Sequence, residues 1–254
     1  MSARERLDVL LVARSLAPSR ERAQALIRAG VVRVNDAPAA KPGTQYPSDA
    51  RIQVLEDPCP WVSRGGLKLA GALETFGVDP TGRVALDIGA STGGFTDVLL
   101  HHGARHVVAV DVGYNQLAWK IRSDDRVTVL ERVNFRKLPE LKEWEIVHEA
   151  APDLVVCDVS FISLSLILPV AAKVMAHPGE IVTLVKPQFE VGREDVGKGG
   201  IVRDVAAREA ALAGAITLAE GLGWQVEATM ESPIQGTKGN VEYLLHARTS
   251  GAPS

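Results

Sequence analysis

Apolar residues recur along the chain in two spacings, and each change of spacing predicts where one element stops and another starts. In RERLDVLLVARSL, Leu7, Leu10 and Leu11 stand at i, i+3 and i+4, which predicts one apolar helical face. SRERAQALIRAG repeats the pattern. Ser19 suits an N-cap, Ala23, Leu26 and Ile27 share a face, and Gly30 suits the position just past the helix. VVRVNDAP then reads as a short strand running into a turn at Asn35-Asp36, with ARIQVL, from Ala50, as its partner strand. Residues 1–60 are therefore expected to form a small α+β domain of two helices and a hairpin.

From Val62 onward, short apolar runs alternate with helical spacing. VALDIG, HVVAVD, VTVLE, DLVVCD, EIVTLVK, WQVEATM and VEYLLHA read as strands, with FTDVLLHH, NQLAWKI, SLILPVAAKVM and VAAREAALAGAITLAEG as helices between them. This order predicts an α/β domain over residues 61–254, built on a mostly parallel seven-stranded sheet with helices on both faces. IQGTKGN joins the last two strands and is too short for a helical crossover, so the last strand should run antiparallel. EDPCPWVSRGG, with two prolines and Trp61, reads as a stiff linker between the two domains.

The composition agrees with this picture. At 254 residues and 46% hydrophobic, the chain can bury one sizeable α/β core plus a small module. VSFISLSLILPVAA is the most membrane-like stretch, but it falls short of the roughly 20 residues that a spanning helix needs. MSARERLDVLLVARS lacks the continuous apolar core of a signal peptide, so a cytoplasmic address and no membrane partner are expected. Cys59 and Cys157 are too isolated for a disulfide framework or a zinc cluster, and His101-His102 lacks ligand spacing, so no metal is expected. The net charge of −3 hides an asymmetry. Residues 1–60 hold nine Lys/Arg against seven Asp/Glu, and seven of those nine are arginines before position 34. Arg20, Arg22 and Arg28 fall on the polar side of the second helix, where Asp8 and Glu21 read as diluting the cluster.

Candidate chemistry begins in VALDIGASTGGFTDVLL. The dinucleotide pattern G-x-G-x-x-G is absent after this strand, and so is a Walker A loop. Asp111 ends the next strand at the spacing where such folds grip a ribose diol. The turn thus suits an adenosine-bearing ligand without pyrophosphate, and S-adenosylmethionine fits. Glycines let the backbone approach it, Asp87 closes the strand, and Asp111 accepts from the ribose. Asp158 ends DLVVCD, Lys186 ends EIVTLVK and Glu242 starts the antiparallel VEYLLHA, so the three converge on one sheet edge above the turn. Lys68 lies off the buried stripe of Leu69, Ala72, Leu73 and Phe76 on the preceding helix.

This set resembles the Lys-Asp-Lys-Glu tetrad of the FtsJ-like ribose 2′-O-methyltransferases. SRGGLKL, DIGASTGGF, VNFR, VVCDVSF, LVKPQFE and VEYLL fall in that family's order. The N-terminal module, down to the Ser-Arg opening its second helix, the Gly-Val-Val-x-Val-Asn strand and the following Lys-Pro, resembles the S4 RNA-binding domain. Together they make the chain similar to the TlyA family of ribosomal RNA (cytidine 2′-O) methyltransferases, also called haemolysin A-like. The resemblance implies a Rossmann-like methyltransferase fold and S-adenosylmethionine as cofactor. It implies ribosomal RNA or ribosomal subunits as partner. It assigns Lys68, Asp158, Lys186 and Glu242 to catalysis, and Asp87, Gly89, Ala90, Ser91, Thr92, Gly93, Asp111 and Asn134 to the cofactor. Arg6, Arg20, Arg22 and Arg28 are then expected to meet RNA. Asp158-Val-Ser-Phe replaces the Asp/Asn-Pro-Pro-aromatic motif of amino-group methyltransferases, in keeping with an oxygen target. The alternatives are a membrane-acting haemolysin, an RNA-binding protein with an inactive methyltransferase fold, and a small-molecule methyltransferase.

Overall fold

The computed structural model describes residues 4–17, 19–28, 30–39, 41–55 and 59–249. Residues 56–58, part of the expected linker, lie outside the described residues. The chain divides into two compact units, Met1–Pro60 and Trp61–Ser254.

The first unit contains β1 (Arg4–Arg6), α1 (Leu7–Ala13), α2 (Arg20–Arg28), β2 (Val32–Val34), β3 (Ala37–Pro38), β4 (Gln45–Pro47) and β5 (Ile52–Val54). The apolar faces read from the sequence meet as expected: Leu7 and Leu11 pack with Ala23, Leu26, Ile27, Val32 and Val34. Ser19 caps α2 by accepting from the Arg22 amide at 3.2 Å. Asn35 and Asp36, both at positive φ, turn β2 into β3, while β5 pairs antiparallel on the other side of β2. Arg4-Glu5-Arg6 is not the start of the first helix but a strand paired antiparallel with β4. Its polar residues carry no apolar alternation that would have marked it.

The second unit contains α3 (Gly65–Phe76), β6 (Val84–Ile88), α4 (Gly94–His101), β7 (His106–Asp111), α5 (Trp119–Arg122), β8 (Val127–Glu131), α6 (Glu143–Ala150), β9 (Leu154–Cys157), α7 (Leu168–Val174), β10 (Gly179–Val185), α8 (Pro187–Glu190), α9 (Val205–Gly221), β11 (Gln225–Glu231) and β12 (Tyr243–Thr249). Its seven strands lie in the order β11-β12-β10-β9-β6-β7-β8. β12 runs antiparallel to both of its neighbours, and the β10-β9-β6-β7-β8 pairings are all parallel. α5 is shorter than NQLAWKI predicts: Asn115 takes a positive φ, and the helix begins only at Trp119.

Strand alternation divides the core between the two sheet faces. Leu86, Ile88, Val155, Cys157 and Ile181 face α7 and α9, whereas Ala85, Val107, Val156 and Val182 face α3 and α4. Chain connections leave β6 and β9, which are neighbours, toward opposite sides of the sheet. Their carboxyl ends therefore open a crevice, the usual ligand site of such sheets.

Candidate functional site

The crevice floor is the turn after β6. Gly89 sits at φ +87° and Gly93 at φ +95°. A Cβ on Gly89 would lie 2.6 Å from the Asp158 carbonyl oxygen, so the turn must be bare backbone where β6 and β9 approach. Asp111, at the end of β7, braces this turn. It accepts from the Ser91 amide at 2.8 Å and from the Gly113 amide at 2.6 Å. Beneath the turn, Asp87 is fully buried on the α4 face and accepts from the Thr96 hydroxyl at 2.6 Å. Its other oxygen has no partner among the described residues. Burial pushes this carboxyl up to about 7, against the Thr96 hydrogen bond and with added repulsion from Asp158 and Asp111.

Register brings the four charged candidates to one edge. Ile88 pairs with Cys157, Cys157 with Thr183, and Val185 with Tyr243. The next residue on β10 is Lys186. On antiparallel β12 the preceding residue is Glu242, which stands just before the strand rather than starting it. Lys186 Nζ lies 2.5 Å from Asp158 Oδ1, an ion pair without hydrogen-bond alignment, and donates to Ser160 Oγ at 2.9 Å. Lys68 is buried although it lies off the aliphatic stripe of α3, because its ammonium donates to Glu242 Oε2 at 2.6 Å. Two Lys-carboxylate pairs thus line one cavity of about 840 Å³, together with Gly89, Ala90, Ser91 and Thr92. That volume lies within the usual range of small-molecule sites.

Four expected cofactor residues do not line this cavity: Asp87, Gly93, Asp111 and Asn134. The first three support the turn from behind or beside it. The side chain of Asn134 is taken up in capping a short turn, accepting from the Arg136 amide at 3.2 Å. Ser160, Phe161 and Gln188, outside the expected site set, also line the cavity. Ser160 and Gln188 reach Lys186 and Glu242, respectively. Phe161 is 90% exposed at φ +64°, with its ring 5.0 Å from that of Phe189. A lone aromatic beside a strand-end acid carries no periodic signal, and only its place in VVCDVSF marked it.

In the first unit, the arginines are organised by an acid. Asp8 is inaccessible to solvent. It accepts from Arg6 at 2.9 and 3.0 Å, from Gln24 at 2.9 Å and from Arg20 at 3.3 Å. The Arg6 guanidinium, with Gln24 and Arg20, holds the carboxyl well below the usual carboxylate range despite burial. Asp8 therefore gathers the cations it seemed to dilute. Arg22 donates to the Cys59 carbonyl at 2.7 Å and Arg28 to Gln24 at 3.1 Å. Among the described residues, no three His, Cys, Asp or Glu side chains could hold a metal ion, and no helix is long and apolar enough to cross a membrane.

Known proteins match along the whole chain. Residues 61–249 match the FtsJ-like methyltransferase family, and residues 5–52 match the S4 domain. The 16S/23S rRNA (cytidine-2′-O)-methyltransferase TlyA of Mycobacterium tuberculosis is 49% identical over 251 residues, covering 98% of this chain and 91% of that protein. Hemolysin A of Brachyspira hyodysenteriae is 42% identical, covering 95% and 98%. A solved structure of a hemolysin-labelled protein from Streptococcus thermophilus is 43% identical with a TM-score of 0.75, covering 100% of this chain and 91% of that one.

Proposed function

Because the chain belongs to the TlyA family, an FtsJ-like methyltransferase domain preceded by an S4 domain, we propose that it methylates the ribose 2′-hydroxyl of a cytidine in ribosomal RNA. The observation that carries this reading is the double pair, Lys68 with Glu242 and Lys186 with Asp158, on the rim of a bare glycine turn. A ribose hydroxyl is a weak nucleophile whose oxygen gains negative charge as it attacks. The Lys186 ammonium stabilises that charge, and Asp158 and Ser160 fix where the ammonium points. Lys68, held by Glu242, orients the hydroxyl or a neighbouring phosphate.

S-adenosylmethionine, when bound, supplies a methyl group already activated on a sulfonium, so alignment of the hydroxyl weighs as heavily as removal of its proton. The residues present fit it. Gly89, Ala90, Ser91 and Thr92 line the cavity, Asp111 has an acceptor beside the turn, and Asp87 lies beneath with an oxygen that has no partner among the described residues. The S4 unit meets RNA through Arg6, Arg20, Arg22 and Arg28, and the enzyme works in the cytoplasm, where ribosomes are.

Lys186→Ala should lower methyl transfer to ribosomal RNA by at least about a hundredfold, while S-adenosylmethionine still binds in calorimetry. Turnover near wild type would remove Lys186 from the chemistry. A folded wild-type chain that binds no methyl donor, even with RNA present, would overturn the reading as a whole.

A further inference from the structure

The loop of residues 191–204, VGREDVGKGGIVRD, takes no part in the chemistry above. Its glycine content gives it conformational freedom, and it has no apolar stripe that would hold it in place. It is nevertheless tied to the connection between β11 and β12 by a set of polar contacts. Asn240 Nδ2 donates to the Gly200 carbonyl at 2.9 Å, and the Val202 amide donates to Asn240 Oδ1 at 3.2 Å. Lys238 Nζ donates to the Gly199 carbonyl at 2.9 Å. Gly197 and Ile201 form an antiparallel bridge that closes the loop on itself.

The choice of side chain has a physical reason. Gly200 C=O and Val202 N–H present one acceptor and one donor, and a primary amide offers the complementary pair from a single planar group. A carboxylate lacks the donor and an ammonium lacks the acceptor. Asn240 is 4% exposed and Val202 2% exposed, so water does not readily replace the bond between them, whereas the bond to the Gly200 carbonyl is part-buried. Gly199 and Gly200, which this clamp holds, line the same cavity as Lys68, Lys186 and Glu242. The glycine turn after β6 forms a different stretch of that wall.

We infer that Asn240 is a positioning residue: its amide clamps the glycine-rich loop as the substrate-side wall of the catalytic cavity, two residues before Glu242 on the same connection. That the wall faces RNA rests on the methyl-transfer reading. A wall of glycine backbone lets a sugar-phosphate chain approach closely, where larger side chains would hold it away.

The test compares full-length Asn240→Ala and Asn240→Asp with wild type. It measures the rate of tryptic cleavage after Lys198, the Kd for S-adenosylmethionine by calorimetry, and kcat/KM for ribosomal RNA. Cleavage should be about tenfold faster and kcat/KM about tenfold lower, with the methyl-donor Kd unchanged. Asn240→Asp should show the larger change, because it sets a carboxylate against the Gly200 carbonyl. Should neither variant fold, Lys238→Ala, which removes one exposed contact, should move cleavage and turnover in the same direction by a smaller factor. Unchanged cleavage and turnover in folded variants overturns the assignment, as does methyl-donor affinity that weakens as much as the RNA step. If wild type transfers no methyl group to RNA while the variants still open the loop, the methyl-transfer reading fails and the clamp stands.

Discussion

Asp8 and Asp87 are both 0% exposed, yet their surroundings move them in opposite directions. Asp8, in the small unit, is met by two guanidinium groups and an amide and is held as a carboxylate. Asp87, in the large unit, accepts from Thr96 and has an oxygen with no partner among the described residues, and burial raises it to about 7. Burial alone does not set the charge of an acid; the donors around it do. The difference also has a direction in space. The charged partners of Asp8 are half-exposed arginines that look outward, whereas Asp87 lies inward beneath the glycine turn after β6.

The largest expected effect removes the strain at Asp87. In the ligand-free chain the native state keeps a proton between about pH 4 and pH 7 that the unfolded state has released. Wild-type stability should therefore fall as pH rises through that window and level off above it. Asp87→Asn has no such proton and can still accept from Thr96. It should be more stable than wild type at pH 8 by up to about 4 kcal/mol, the cost of a shift of about three pKa units, with the gap closing toward pH 4. All four tryptophans lie in the large unit, so denaturant titration followed by tryptophan fluorescence reads this directly. A gap that does not vary with pH would mean that Asp87 is charged and compensated, and the contrast with Asp8 would collapse.

Asp8→Asn should act with the opposite sign and a smaller size. It keeps the shape of the side chain but leaves Arg6 and Arg20 without their anion, at a cost of about 2 kcal/mol at pH 7, the scale of a hydrogen bond to a charged group. Because the folded pKa is depressed, this contribution is complete above about pH 4 and is lost as pH falls through the folded value below it. Amide exchange in α1 and α2 at pH 7 should quicken accordingly, while exchange in the large unit stays as it was. Equal exchange rates in variant and wild type would reduce the Asp8 cluster to a surface arrangement without weight.

The two units were not equally legible in the sequence. In the large one, Val84–Ile88, Leu154–Cys157 and Gly179–Val185 are buried runs whose length and β-branched content announce strands, and the charges that end two of those runs had to emerge on one edge. The pairing of Lys68 with Glu242 was not legible: 174 positions separate them, and a lysine off an apolar stripe ordinarily reads as solvated. In the small unit, β1 has no apolar pattern, and Asp8 looked like a surface charge because Arg20 and Gln24, which join its near neighbour Arg6 in enclosing it, lie 12 and 16 positions away. Asn240 and Lys238 lie in a glycine-rich connection without any period. Hydrophobic spacing reports what faces a core, whereas polar networks depend on contacts that only the fold creates.

The smallest expected effect asks whether the outward side of the Asp8 cluster does work. Arg20 shares Asp8 with Arg6 but keeps 57% of its side chain exposed, so it can hold Asp8 and still present N–H groups to a phosphate. If it does both, Arg20→Ala should weaken binding to ribosomal RNA by severalfold and lower the log–log dependence of affinity on salt by roughly one unit, the signature of one lost phosphate contact. Folded RNA is met largely through shape and backbone, so the loss should be similar across related RNA sequences. Affinity for S-adenosylmethionine should not change, because the cavity lies within the other unit. If Arg20 serves only to neutralise Asp8, the same substitution would speed amide exchange in α1 and α2 yet leave the salt slope untouched. Binding measured at several salt concentrations, alongside exchange on the same protein, separates the two. A cation that only closes a buried pair belongs to the architecture, whereas one that also changes the salt slope carries the influence of Asp8 out to the substrate, which Asp87, facing inward, does not do.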